Sequence, residues 1–183
     1  MVYALRNGRR VVALLSFLLL CCGVHVHAQR VKTNTLGWLT ASPNVEAEFV
    51  LGRHISLNMG VAANPISTDN FKTTFTHFQP EVRYWLNRPM VSHFLGVTAF
   101  ANNFNMLVKD VHHKGDALAV GLTYGYAWVL NDHWNIEATA GIGVMRYRQF
   151  KYDKGAPKPD AANDSKTTLA PVKLGVSFVY IIR

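Results

Sequence analysis

The sequence predicts an all-β chain folded as an eight-stranded antiparallel up-and-down transmembrane β-barrel. Three observations predict it. Large apolar residues alternate with small or polar ones along most of the chain, and beyond the N-terminal segment no stretch sustains the i, i+3, i+4 apolar pattern of a helix. The connections between alternating segments are short and long in turn. The chain also closes on a strand in which Leu174, Val176, Phe178, Tyr180 and Ile182 share one face and Lys173, Gly175 and Ser177 the other. A wall with large apolar side chains outside and small or polar ones inside suits a narrow barrel in lipid, where the interior is crowded and the exterior meets hydrocarbon.

The segments run in order Val31–Thr40, Asn44–Leu51, Ile55–Ala63, His77–Leu86, His93–Leu107, Ala117–Leu130, Trp134–Tyr152 and Leu169–Ile182, an even number as in bacterial single-chain barrels. Ala117–Leu130 is the clearest: Leu118, Val120, Leu122, Tyr124, Tyr126, Trp128 and Leu130 face Ala119, Gly121, Thr123, Gly125 and Ala127 across the pleat. A soluble sheet would place charged residues opposite the large ones. The first segment has an ambiguous phase, because Leu36 and Trp38 share a face that Leu39 does not. Gly52-Arg53-His54, Asn87–Ser92 and Asn131-Asp132-His133 read as tight turns, whereas Asn64–Thr76, Val108–Gly115 and Asp153–Thr168 read as long polar loops. Ala41-Ser42-Pro43 alone is short where a long connection is expected. Short turns on the periplasmic side and long external loops put both termini in the periplasm.

Residues 1–28 read as a cleaved signal peptide and residues 29–183 as the barrel domain. Arg6, Arg9 and Arg10 form a basic n-region, Val11–Leu20 an apolar run, and Val26-His27-Ala28 a cleavage site. The run is too short for a spanning helix, which needs about 20 residues. An uncleaved anchor over Val11–Val26 and a lipoprotein cut before Cys21 or Cys22 are the lesser readings. Removal of 1–28 takes the formal charge from +8 to +5 and takes both cysteines with it, leaving no disulfide and no thiolate metal site. The remaining Lys and Arg are scattered rather than set in a stripe, which argues against nucleic acid.

On the alternation, Glu46, Glu48, Glu81, Arg83, Glu137 and Lys173 face inward as a network of paired charges. Eight strands leave room for side chains rather than a channel. Trp38, Trp85, Trp128, Trp134 and Tyr152 lie near strand ends and read as aromatic girdles at the bilayer interfaces. Lys173, Gly175, Phe178 and Tyr180 resemble the C-terminal signal read by the outer-membrane assembly machinery, although the chain runs on to Ile-Ile-Arg. The rival fold is a soluble lipocalin-like barrel, which needs the opposite polarity. Histidines invite two further readings. His77 with Ser67, or His93 with Ser92, are the pairings open to a hydrolase, but neither sits in a nucleophile motif. His112-His113 with Asp110 and Asp116 are the pairing open to a surface metal, but adjacent residues of a strand point apart.

Lys32-Thr33-Asn34, Ser42-Pro43-Asn44-Val45-Glu46 and Asn64-Pro65 are followed by Gln79-Pro80-Glu81-Val82-Arg83-Tyr84-Trp85-Leu86, Tyr124-Gly125-Tyr126 and Trp134-Asn135-Ile136-Glu137-Ala138-Thr139. With these stretches the chain resembles an uncharacterised family of small bacterial outer-membrane barrels carrying a domain-of-unknown-function label. The resemblance spans nearly all of residues 29–183. It implies an eight-stranded barrel of the general OmpA-like shape and no established activity.

The expectation for function is a small outer-membrane barrel with a structural or surface-interaction role through its external loops, without catalysis, cofactor or metal. Its partners are outer-membrane lipid, the assembly machinery and a surface protein. The alternative is a barrel that moves or modifies small hydrophobic or lipid molecules, which a lateral opening or an apolar lumen would favour. The membrane-purified protein is expected to begin at Gln29; an intact mass that retains residues 1–28 would overturn the signal-peptide reading.

Overall fold

The computed structural model describes residues 29–67, 72–108, 111–153, 157 and 159–182. The expected signal segment lies outside them. Eight antiparallel strands close into an up-and-down barrel in chain order: β1 (Arg30–Asn34), β2 (Asn44–Val50), β3 (Ile55–Ser67), β4 (Lys72–Trp85), β5 (Ser92–Val108), β6 (Val111–Val129), β7 (Trp134–Asp153) and β8 (Asp164–Ile181). A single short helix, α1 (Thr35–Leu39), joins β1 to β2. The ring closes where β1 pairs with β8, with Val31 opposite Tyr180 and Asn34 opposite Ser177. The end that holds Gln29 and Ile182, linked by a backbone bond of 2.9 Å, also holds the tight turns and is called the lower end here.

Outward positions are large, apolar and exposed. Leu118, Val120, Leu122, Tyr124, Trp128 and Leu130 form one such column, with Leu122 66% exposed, and Leu169, Leu174, Val176, Phe178 and Tyr180 form another. The first column rises about 30 Å along the axis, at about 3.3 Å per residue and a strand tilt of about 40°. Most inward positions are small, polar or charged, with Trp85, Phe94, Val172 and Val179 as buried apolar exceptions.

Three expected elements differ from the structure. The first strand ends at Asn34 rather than Thr40. The Asn34 side chain accepts from Leu36 N at 3.0 Å and caps α1, while its Nδ2 donates to Leu174 O at 3.0 Å. The Asn44 side chain then replaces the next ladder rung: Asn34 N donates to Asn44 Oδ1 at 2.6 Å and Asn44 Nδ2 donates to Asn34 O at 2.9 Å. With α1 in place, the β1–β2 connection covers residues 35–43, so the apparent exception to the short-and-long alternation disappears. Second, two of the three long loops are largely strand, and the third is shortened by the start of β8. β3 runs through Ser67 and β4 starts at Lys72, β5 and β6 meet across residues 109–110, and β8 starts at Asp164. Outward residues such as Thr74, Thr76 and Lys114 are polar in this upper part, so the apolar signal stops while the backbone ladder continues. Third, β8 carries a bulge opposite Gly141/Ile142. Val172 is the extra residue. It lets Val172 and Lys173 both turn inward while Leu169 and Leu174 both stay outside, and the preceding Pro171 lacks the N–H that a regular rung would use.

The wall is uneven. β1 reaches only Ser177 on β8, and β2 begins opposite Ala62 on β3. Above these points β8 from Asp164 to Lys173 has no ladder partner on that side among the described residues, while β3 runs on to Ser67. The missing strand tops leave a side opening three strand spacings wide, about 14 Å, with α1 as its sill.

Asn44→Leu removes both bonds to the Asn34 backbone. The Asn34 amide is therefore expected to exchange with deuterium about tenfold faster, the equivalent of one hydrogen bond, while amides of β6 and β7 keep their rates. Unchanged exchange at Asn34 would show that Asn44 does not hold the end of β1.

Candidate functional site

The lower half of the lumen is filled by charged side chains. Four strands supply carboxylate, guanidinium or ammonium groups to it: Glu46 and Glu48 from β2, Glu81 and Arg83 from β4, Glu137 from β7 and Lys173 from β8. The structure brings all six together. Arg83 is the hub. Its Nη2 and Nε donate to Glu81 Oε2 at 2.7 and 3.0 Å, and its Nη1 donates to both Glu137 oxygens at 3.0 Å and to Glu48 Oε2 at 3.3 Å. Lys173 Nζ bridges Glu46 Oε2 at 2.9 Å and Glu81 Oε2 at 3.0 Å.

Two further cations complete the set, and sequence reasoning missed both. Lys32 Nζ donates to Glu48 Oε2 and Glu137 Oε1, each at 3.1 Å. Arg30 lies 3.9 Å from Glu48 and from Glu137 and sits over the Trp85 ring, 5.5 Å from its centroid. The ambiguous phase of the first segment hid them, because Leu36 and Trp38 belong to α1 and say nothing about β1. A signal was available: four inward carboxylates with only two inward cations leave a deficit that Arg30 and Lys32, two apart around outward Val31, make good.

Neutral donors add to these contacts, and at Glu48 Oε1 and Glu81 Oε1 they take the oxygens that the cations leave free. Ser56 Oγ donates to Glu48 Oε1 at 2.6 Å, Asn58 Nδ2 to Glu46 Oε2 at 2.6 Å, Thr139 Oγ1 to Glu137 Oε1 at 3.2 Å, and Thr123 Oγ1 to Glu81 Oε1. Glycines make room for this. A Cβ at Gly96 would collide with Thr123 Oγ1 and come within 2.8 Å of Glu81 Oε1, and one at Gly125 would enter the Phe94 ring.

Trp85 is a correction. Expected in an aromatic girdle, it is 0% exposed inside the lumen. The alternation that turns Glu81 and Arg83 inward carries Trp85 with them and leaves Tyr84 and Leu86 outside. Its Nε1 donates to Ser56 Oγ at 2.8 Å, and it packs on Phe94 at 4.7 Å between ring centroids, flooring the lumen with Ala127. Trp128 and Trp134 are exposed near the lower end, Trp38 is exposed on α1 rather than on a strand, and Tyr152 stacks on His112 near the top of β7. Of the C-terminal motif, Lys173 and Gly175 face inward and Phe178 and Tyr180 outward.

The serine–histidine and histidine–aspartate pairings do not assemble. The β3–β4 register sets His77 opposite Ala62, five residues from Ser67 and so about 17 Å along the strand. His77 contacts Gln79 and the Phe100 ring instead. His93 bonds the Tyr124 hydroxyl at 2.6 Å. His112 stacks on Tyr152 while His113 bonds Gln149 at 3.2 Å, Asp116 pairs with Arg148, and Asp110 lies outside the described residues. Among the described residues no group of three or more His, Cys, Asp or Glu could hold a metal ion.

Above the plug the lumen changes character. Gln79 Nε2 donates to Val172 O at 2.9 Å and ties β4 to β8 across the lumen at the upper edge of the charges. Beyond it opens a cavity of about 580 Å³ whose lining includes the inward-facing Asn64, Phe75, His77 and Asn102 together with the outward-facing Val61 and Leu174. Its lining thus draws on residues of both faces of the wall, next to the side opening. A second, outer cavity of about 650 Å³, lined by Trp38, Val45, Val61, Ala63, Phe78 and Ala101, adjoins it through Asn44, Val61, Ala62 and His77.

A protein-family profile described as "Protein of unknown function (DUF3575)" matches residues 12–182. The chain belongs to this family. No curated protein and no solved structure matches the chain.

Arg83→Ala leaves three carboxylates short of a partner and is expected to destabilise the barrel by roughly 3–5 kcal/mol. Arg148→Ala breaks an exposed pair with Asp116 and is expected to change stability by less than about 1 kcal/mol. Denaturant midpoints in detergent compare the two, and equal small effects would show that the Arg83 contacts do not hold the fold together.

Proposed function

We propose that this member of the family is an integral outer-membrane barrel, delivered through a cleaved signal peptide, that conducts no ions and acts as a structural or surface-interaction element through its upper end. The observation that carries the reading is the plug: four carboxylates and four cations, ion-paired across the lumen, occupy the space that a pore would need. The exterior supports membrane residence. Columns of exposed Leu, Val, Phe and Tyr about 30 Å tall match the hydrocarbon thickness of a bilayer. A soluble lipocalin-like barrel would carry those residues inside and the charges outside. No helix among the described residues is long and apolar enough to cross a membrane, so any crossing falls to the strands.

Under this reading the lower end, with both termini, faces the periplasm, and the assembly machinery reads β8. Among the described residues the upper end carries strands that extend beyond the apolar band, a support for contact with a surface protein. The side opening favours a second reading, reception of small hydrophobic or lipid molecules, because an open strand edge within the apolar zone is tolerated only against protein, water or a bound group.

In planar bilayers the purified protein is expected to insert without stepwise conductance, and on a denaturing gel unboiled protein is expected to run at a different apparent size from boiled protein. Reproducible unitary currents would overturn the sealed-lumen reading. Recovery in the soluble periplasm would overturn the membrane reading.

A further inference from the structure

We infer that the side opening is a binding site for an uncharged amphiphile, with an alkyl chain in the outer cavity and a hydrogen-bonding head inside the lumen. The inference rests on the membrane reading above, which supplies such molecules, and deepens its second form.

Four observations lead to it. The two cavities are neighbours, with Asn44, Val61, Ala62 and His77 in the lining of both, and the inferred ligand joins them at the side opening beside α1. The outer part is apolar, with Trp38, Val45, Val61, Ala63 and Phe78 forming a trough beside α1 that suits an alkyl chain lying against the barrel. The inner part is polar and carries amides and hydroxyls rather than free charge. Lys173 and Glu46, the charged residues that line it, are already paired with each other at 2.9 Å, so neither a carboxylate nor an ammonium head finds an uncommitted counter-charge there. Finally, one acceptor is waiting. Asn102 lines the inner cavity directly opposite His77, and its Oδ1 is buried without a hydrogen-bond partner among the described residues. Buried acceptors are normally satisfied, so this oxygen calls for an N–H or O–H donor from whatever occupies the cavity. An alcohol or primary amide on an alkyl chain meets both halves of the path. A hydrocarbon meets only the outer half.

Binding is measured on the whole processed chain, folded in zwitterionic micelles and labelled with ¹⁵N. The probes are 1-dodecanol, dodecane, dodecanoate and dodecyltrimethylammonium, followed at the backbone amides of His77 and Ala62. Saturable shifts are expected with dodecanol, with the other three binding at least about tenfold more weakly, the equivalent of one buried hydrogen bond. Asn102→Leu removes the acceptor at nearly constant volume and is expected to weaken dodecanol by about the same factor while leaving dodecane unchanged. Ala62→Trp, which fills the path, is expected to abolish both, read at His77. Equal affinity for dodecanol and dodecane, tighter binding of either ion, no saturable shift, or dodecanol affinity indifferent to Asn102→Leu would each overturn the site. Gel mobility of unboiled samples and insertion into vesicles are read on the same protein. A chain that inserts but binds no dodecanol sinks this inference alone, whereas a chain that does not insert sinks the membrane reading and this inference with it.

Discussion

Four carboxylates buried inside a ring of eight strands each need a cation within reach, because an uncompensated buried charge costs several kcal/mol. That requirement organises the molecule. Arg83 answers it by gripping three carboxylates at once, Lys173 by bridging two, and Lys32 by joining Glu48 to Glu137 across the lumen. The charges come from β1, β2, β4, β7 and β8, so strands far apart around the ring are tied through its centre as well as along its wall. The hydroxyls of Ser56, Thr123 and Thr139 and the missing side chain of Gly96 follow from the same need, since each either completes a carboxylate's hydrogen bonds or clears space for it.

The plug also divides the interior. Below it, Trp85 and Phe94 pack against the guanidinium groups of Arg30 and Arg83 and seal the floor. Above it, Gln79 and the bulge at Val172 mark the change from charge to neutral polarity. The wall thins at the same height, where β1 and β2 stop and α1 takes over. Sealing and opening therefore occupy different levels of one lumen, and the open level reaches sideways.

Much of this was legible in the sequence where one physical rule applied without competition. β6 shows its alternation plainly, because Leu118 through Leu130 face one way and small residues the other. Glu81 and Arg83 followed from the same rule on β4, and consistent use of it would have put Trp85 inside with them. The rule lost its hold in three places. Asn34 and Asn44 act through capping and side-chain substitution for a backbone rung, which periodicity does not register. The upper strands lost the apolar outer face that identifies a strand in lipid, yet kept the backbone pairing that makes one. The bulge at Val172 shifts the phase within β8, so alternation counted back from Tyr180 places Leu169 on the wrong face. The side opening was illegible for a related reason: it is a difference in height between neighbouring strands, which no single segment carries.

The placement of Arg30 and Lys32 on β1 has a consequence for how the ring is completed. β1 meets β8 over only five residue pairs, from Arg30–Ile181 to Asn34–Ser177, the thinnest join in the wall apart from its other side against β2. Without β1, the lumen holds Glu46, Glu48, Glu81 and Glu137 against Arg83 and Lys173 alone, an excess of two negative charges. Docking this one short strand cancels the excess at the moment that it joins the edges. The first strand thus acts as an electrostatic latch, adding charge compensation inside the lumen to the backbone bonds along the seam.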